Sequence, residues 1–255
     1  MTISLEGRKI LITREVNQAK VFADKVKKYK GIPIVVPLLT VVCRVSEASK
    51  GAIGRLGTFK WIFFTSANGV RCFFQTLNHF GLDGQPFLKE LKIAVVGHKT
   101  EDALKSFGYR ADFIPSEYHA EAMGQEFLKK YDDPAPILLV RGNRSRNVLP
   151  DVFSKLNIPF DMIQVYETSF NFQMKEKLRE NLKDGNIDYL TFTSPSAVES
   201  FCEMVDERKI PSFCIGTTTQ IRAKELGFQE TFSPNEFTTD SVLELISDYI
   251  AGKDR

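Results

Sequence analysis

Trp61-Ile62-Phe63-Phe64-Thr65-Ser66-Ala67-Asn68-Gly69-Val70 sets four large apolar residues against two hydroxyls and a small-residue turn. The pattern returns as Tyr189-Leu190-Thr191-Phe192-Thr193-Ser194-Pro195-Ser196-Ala197-Val198, at an offset of 128 (193 − 65). A short apolar run that ends abruptly in Thr-Ser and then small residues reads as a buried strand delivering the chain into a capped helix. Two more pairs surround it. Val96-Gly97-His98-Lys99-Thr100 answers to Ile215-Gly216-Thr217-Thr218-Thr219 at an offset of 119 (215 − 96), a match that carries on to Glu117-Tyr118 and Glu236-Phe237. Ile10-Leu11-Ile12-Thr13-Arg14 stands beside Ile137-Leu138-Leu139-Val140-Arg141 at an offset of 127 (137 − 10). Three blocks recur in one order with little change of spacing, so the chain holds two similar domains.

The apolar runs at 9–13, 32–36, 61–64, 93–96, 137–140, 189–192 and 212–215 are short, rich in β-branched and aromatic residues, and near-continuous. That is the pattern of strands buried on both faces of a parallel sheet. Amphipathic stretches separate them. Over 16–30, Ala19, Phe22, Ala23 and Val26 fall on one helical face with lysines opposite. Residues 100–107 and 219–226 read as shorter helices closed by Gly108 and Gly227. Strand–helix alternation throughout predicts doubly wound α/β domains. Residues 37–42 and 164–169 each follow a repeated strand-helix-strand block and read as crossings between domains. Periodicity alone permits a consecutive split near residue 132 or an interleaved one.

Composition narrows the class. With 255 residues, a net charge of +2 and no polybasic stripe, nothing points to nucleic acid. No apolar run approaches the roughly 20 residues of a membrane helix, and the N-terminus lacks a targeting pattern. Cys43, Cys72, Cys202 and Cys214 show no CxxC spacing and read as reduced, mostly buried thiols of a cytoplasmic protein. The 21 phenylalanines lie mostly in apolar runs, as core. His79, His98 and His119 form no metal-ligand spacing, so no metal is expected. No GxSxG, Walker or strand-following GxGxxG motif is present.

In an open α/β sheet, ligands sit beyond the C-terminal strand ends, where helix N-termini present free N–H groups. The repeated polar clusters fall there: Thr13-Arg14, Thr65-Ser66, Gly97 to Thr100, Arg141 to Arg144, Thr193-Ser194 and Gly216 to Thr219. Any one of these hydroxyls is a good helix cap and needs no function. Together they predict a hydroxyl-rich, modestly basic ligand cleft between the two domains, suited to a polyanionic organic ligand. A non-catalytic two-domain receptor for a small anionic ligand shares these features. A flavin carrier would want aromatic residues flanking such a loop. Tyr118 and Phe237 sit nearby but read as packing.

Several of these pieces form an ordered set. Ile12-Thr13-Arg14, Phe64-Thr65-Ser66, Val96-Gly97 with Thr100, Ala120-Glu121, Arg141-Gly142-Asn143 with Val165-Tyr166-Glu167-Thr168, Phe192 to Val198, and Ile215-Gly216 with Thr218-Thr219 together resemble uroporphyrinogen-III synthase. The resemblance spans nearly the whole chain. Glu15 stands where the family often has Pro, and Glu101-Asp102 where small residues are common. The resemblance implies two flavodoxin-like doubly wound domains, interleaved as 1–37 with 169–255 and 41–165, joined by crossings 38–40 and 166–168. It implies a cyclising lyase that converts hydroxymethylbilane, a linear tetrapyrrole polycarboxylate, to uroporphyrinogen III without a cofactor. Tyr166 becomes the candidate proton donor, since a phenol is protonated at neutral pH. Arg14, Thr65, Ser66, Lys99, Arg141, Thr193, Ser194, Ser196, Thr218 and Thr219 become candidate substrate-binding residues. A monomer is expected, free of nucleic acid and membrane, with at most a transient contact with the preceding pathway enzyme.

Overall fold

The computed structural model describes residues 3–82 and 90–253. Its elements begin β1 (Lys9–Ile12), α1 (Val16–Lys28), β2 (Ile32–Val35), β3 (Leu39–Cys43), α2 (Glu47–Gly54), β4 (Trp61–Phe64) and α3 (Ala67–His79). They continue β5 (Lys92–Val95), α4 (His98–Lys105), α5 (Ala120–Lys130), β6 (Ile137–Gly142), α6 (Val148–Lys155) and β7 (Phe160–Phe170). Then come α7 (Lys175–Leu182), β8 (Tyr189–Phe192), α8 (Pro195–Met204), β9 (Ser212–Cys214), α9 (Thr217–Glu225), β10 (Thr231–Phe232) and α10 (Thr239–Lys253). Among the described residues, no helix is long and apolar enough to cross a membrane.

The chain divides into two compact units, Met1–Thr40 with Ser169–Arg255, and Val41–Thr168. The first has a five-stranded sheet in the order β10-β9-β8-β1-β2, with all four neighbouring pairs parallel, such as Ile10 against Tyr189 and Pro33. Counted along the chain within that unit, this is the 2-1-3-4-5 order of flavodoxin-like sheets. The second sheet runs β3-β7-β6-β4-β5. Counting from β6, then β7, β4, β5 and the parallel bridge from Ala94 to Phe113, gives the same order, circularly permuted. This is why the repeat pairs the first block of the chain with the middle of it: β1 and β6 hold the same place in the two sheets.

The local reasons match the sequence. In α1, Ala19, Phe22, Ala23 and Val26 are buried, and the last turn carries Lys25, Lys27 and Lys28, which suit the negative end of the helix dipole. Gly108 and Gly227 take φ of +83° and +89°, a region that favours glycine, and close α4 and α9. Phe63, Phe127 and Phe153 pack edge to face in the second unit, with Phe63 and Phe127 centroids 4.7 Å apart. Phe192, Phe201 and Phe228 do the same in the first. Each fully buried ring contributes roughly 1.5–3 kcal/mol relative to exposure.

Two expectations need correction. Helices α4 and α9 begin at His98 and Thr217, two residues before the positions read from periodicity, because Gly97 and Gly216 serve as N-caps without side chains. The cysteines are not all reduced thiols: Cys43 at the end of β3 and Cys72 on α3 form a disulfide, with Cα atoms 5.1 Å apart. The sequence separation of 29 hides this proximity from any spacing rule, and only the packing of α3 against the sheet reveals it. Cys202 and Cys214 are free.

Candidate active site

In the second unit the C-terminal ends of β7, β6, β4 and β5 are neighbours, so Tyr166, Arg141, Thr65-Ser66 and Gly97 to Lys99 gather at one end of one sheet. Ser66 is extended (φ −160°, ψ 151°) and caps α3, its Oγ accepting from the Gly69 N–H at 3.0 Å. The same Oγ lies 3.0 Å from the Tyr166 hydroxyl. Tyr166 is 9% exposed, its ring part of the unit's core. The ring occupies the space where Gly142 lacks a side chain: a Cβ there would come within 2.3 Å of two ring carbons. A register shift between β6 and β7, where Arg141 pairs with Gln164 and Gly142 with Tyr166, brings the two residues opposite each other. The Asn143 N–H donates to the Tyr166 carbonyl at 3.2 Å, and the Asn143 side chain brackets Thr168 with two further bonds. Backbone, ring and hydroxyl of Tyr166 are therefore each held by a different partner.

The other candidates in this unit divide by what they touch. Arg141 is half-buried and donates to the Ser145 carbonyl (2.6 Å) and Asn147 Oδ1 (2.9 Å), which shapes the loop leading to α6. Arg146 pairs with Glu121 at 2.7 Å. Lys99 is exposed in the first turn of α4, and Thr65 is half-buried. Beside α4, Glu101 accepts from Lys105 (2.9 Å), which holds its carboxyl below the ordinary range against a smaller opposing effect of burial.

The first unit repeats the plan with β1, β8 and β9 side by side. Ser194 caps α8 through the Ala197 N–H at 3.2 Å, with Pro195 in the first turn, where its missing N–H costs nothing. Thr193 and Ser196 are half-buried, Thr218 is exposed, and Thr219 is buried in α9. Thr13 is fully buried and spends its hydroxyl on the Thr191 carbonyl at 2.8 Å. Arg14 is half-buried against Gln18; burial pushes its guanidinium below its ordinary value while Glu15 opposes, and it stays charged.

Tyr118 and Phe237, counterparts in the repeat, each lie over the glycine that caps α4 or α9. A Cβ on Gly97 or Gly216 would come within 2.9 Å of the ring, or of the Tyr118 Cβ. Both aromatic residues are otherwise exposed, at 57% and 62%. Cavities among the described residues lie elsewhere. One of about 440 Å³ sits at the N-terminal ends of β4 and β5, beside Lys60, Trp61 and Lys92. One of about 580 Å³ lies beside Arg179, Cys202 and Met204. The first is at the wrong end of its sheet for a doubly wound fold. Among the described residues, no three His, Cys, Asp or Glu side chains gather to hold a metal. Sequence reasoning marked Tyr166 and Ser66 separately but missed Gly142 as the seat of the ring; the Arg-Gly-Asn motif marked the position without its reason.

Two doubly wound domains, each with capped helix starts and hydroxyls at its strand ends, define a two-domain α/β protein of the flavodoxin-like class. The family model described as uroporphyrinogen-III synthase HemD matches residues 20–253. The chain belongs to the uroporphyrinogen-III synthase family. It is 28% identical to the porphyrin biosynthesis protein HemD of Ruminiclostridium josui over 94% of this chain, and spans about half (48%) of that protein's length. It is 25% identical to the uroporphyrinogen-III synthase of Chlorobaculum parvum, over 94% of this chain and 98% of that one. The crystal structure of uroporphyrinogen-III synthetase from Helicobacter pylori shares the fold, with a TM-score of 0.66 and 19% identity over 95% of this chain and 99% of that one.

Proposed function

We propose that the chain closes hydroxymethylbilane into uroporphyrinogen III, with loss of water and inversion of ring D. The observation that carries this reading is the family match over residues 20–253. The immobilised phenol of Tyr166 supports a catalytic role for the strand ends of the second unit.

The chemistry needs little from the protein beyond position and a proton. The phenol of Tyr166 gives its proton to the terminal hydroxyl, which leaves as water with the C–O bonding pair. Pyrrole electrons stabilise the resulting azafulvene cation. The substituted carbon of ring D attacks to give a spirocyclic intermediate, which fragments and recloses through the free carbon. The proton lost there as ring D regains aromaticity restores the phenol, so the catalyst is regenerated and only water is released. Folding the chain so that the substituted carbon reacts first is a positioning effect.

The acetate and propionate groups are held by many modest contacts: Arg14, Thr65, Lys99, Arg141, Thr193, Ser194, Ser196, Thr218 and Thr219, with main-chain N–H groups at the helix starts; the Ser66 hydroxyl is engaged instead by the Tyr166 phenol and the Gly69 N–H. The reading is a cytoplasmic monomer that needs no cofactor. A coupled assay that separates type III from type I uroporphyrinogen tests it: the purified chain yields mainly type III, and a product no different from the uncatalysed type I overturns it. Because pyrrole supplies the electrons, activity survives exhaustive chelation with EDTA. Loss of turnover restored by one divalent ion would show a missed metal role.

A further inference from the structure

We infer that Ser66 is a positioning residue for the reaction: it aims the Tyr166 phenol and stabilises the phenolate left when that phenol gives up its proton. The inference rests on the donor role proposed above for Tyr166.

A serine hydroxyl has one hydrogen and two acceptor sites. At Ser66 one acceptor site is taken by the Gly69 N–H at 3.0 Å, which fixes the side chain at the start of the 13-residue helix α3. The Tyr166 hydroxyl lies 3.0 Å away, and before reaction either oxygen can be the donor between them. Once the Tyr166 O–H bond has broken and its proton has gone to the leaving hydroxyl, one arrangement keeps the contact. Ser66 donates to the phenolate oxygen, its own O–H bond intact. A hydrogen bond to a charged acceptor is stronger than a neutral one, so this contact tightens as the proton leaves. The Gly69 N–H polarises the serine in the same sense. Gly142 fixes the other end, since the ring fills the space a Cβ would need.

The internal repeat supplies a control within the same chain. Ser194 occupies the corresponding cap, bonded to the Ala197 N–H at 3.2 Å. Moved back by the offset of 127, Val165 and Tyr166 fall on Leu38 and Leu39 (165 − 127 and 166 − 127), neither of which has a hydroxyl. Capping a helix therefore requires the serine and not the phenol. Among the described residues the serine–phenol pair occurs in the second unit and not at the corresponding cap of the first, as expected for a group with chemistry to do rather than a helix to start.

Five variants separate this role from direct substrate binding and from simple capping. Ser66→Ala removes the cap and the donor. Ser66→Asp keeps an acceptor for the Gly69 N–H but cannot donate. Ser66→Thr keeps both. Tyr166→Phe, alone and with Ser66→Ala, completes a double-mutant cycle. The measurements are kcat and KM with hydroxymethylbilane, and the melting temperature. Turnover should fall about ten- to a hundredfold in Ser66→Ala, the size of one charge-assisted hydrogen bond, with KM within about twofold. Ser66→Asp should fall at least as far while melting above Ser66→Ala. Ser66→Thr should recover turnover to within about threefold, and the double variant should be no slower than Tyr166→Phe. A rise in KM at unchanged kcat, or a Ser66→Ala loss that adds in full to that of Tyr166→Phe, overturns the inference and leaves the donor role standing. An unchanged rate in Tyr166→Phe overturns the donor role itself, and this inference with it.

Discussion

Tyr166 is held by its ring and by its hydroxyl, and substitutions at the two ends have different consequences. Tyr166→Phe keeps the ring against Gly142 and leaves Ser66 capping α3, so the melting temperature should move by no more than a few degrees. Turnover should fall about 10²–10⁴-fold, the usual contribution of a positioned acid, and toward the lower end because water can partly replace the donor. Residual product should still be type III, since ring inversion depends on how the substrate is folded. Gly142→Ala acts from the other side. Its Cβ would meet ring carbons at 2.3 Å, so the ring must leave its seat and carry the hydroxyl away from Ser66. Turnover should fall at least as far as in Tyr166→Phe, with a clear loss of melting temperature, because a core ring is displaced as well. A Gly142→Ala enzyme of normal rate would show that the seat is dispensable. The free thiols give a simpler test. Burial pushes the Cys214 thiol up to about 12 and raises that of half-exposed Cys202 as well. At neutral pH the native chain should alkylate first at Cys202, and at Cys214 only on unfolding, as peptide mass spectrometry would read directly.

Helix α4 shows how an element answers to pH. Lys105 holds the Glu101 carboxyl below its ordinary range, with burial opposing and His98 assisting. A carboxylate whose folded value is depressed stabilises the fold above its unfolded value, and that contribution is lost as pH falls through the folded value. Melting temperatures of wild type and Glu101→Gln should therefore differ most near neutrality and converge in acid; a constant gap would mean that the pair contributes nothing. The same scale shows what a sequence can and cannot reveal. Strands such as β4 and β8 were legible because burial on both faces leaves an uninterrupted apolar run, and every residue of each is buried. Strand β3 (Leu39–Cys43) and the 11-residue β7 were not, since their residues are largely half-buried or exposed and the apolar signal is diluted. β10 is two residues long, below what periodicity can register. The Ser66–Tyr166 contact joins residues 100 apart, and Cys43–Cys72 joins two elements that only packing brings together, so neither has a local signature. Hydroxyls at strand ends were visible; which of them serve caps and which meet a phenol depends on the β6–β7 register.

At the scale of the whole molecule, the interleaved domain map is a proposal with a direct physical test. Sheet order in the second unit is complete within Val41–Thr168, and its ends are tied internally: the Arg44 N–H donates to the Val165 carbonyl, Arg44 pairs with Glu167 at 2.8 Å, and Asn143 brackets Thr168. The first unit cannot close without both chain ends, because β1 and β2 complete a sheet whose other strands begin at Tyr189. A fragment of residues 41–168 should therefore fold alone, with a cooperative melt and protected amides in β4 and β6. The boundary matters. Stopping at 165 removes Tyr166 from its seat on Gly142 and cuts the bonds to Glu167 and Thr168, so a 41–165 fragment should melt lower than 41–168. A fragment of residues 1–132 has the length of a domain but the wrong pieces. It holds β1 and β2 without β8, and β4 and β5 without β6, leaving buried strand faces such as Phe63, Phe64 and Leu11 exposed to water. At roughly 25 cal/mol for each Å² of apolar surface left uncovered, two half-sheets have no route to a net gain over chain entropy. Circular dichroism melts of the three fragments decide the matter: a cooperative transition in 1–132, beside an unfolded 41–168, would mean that the domains run consecutively along the chain after all.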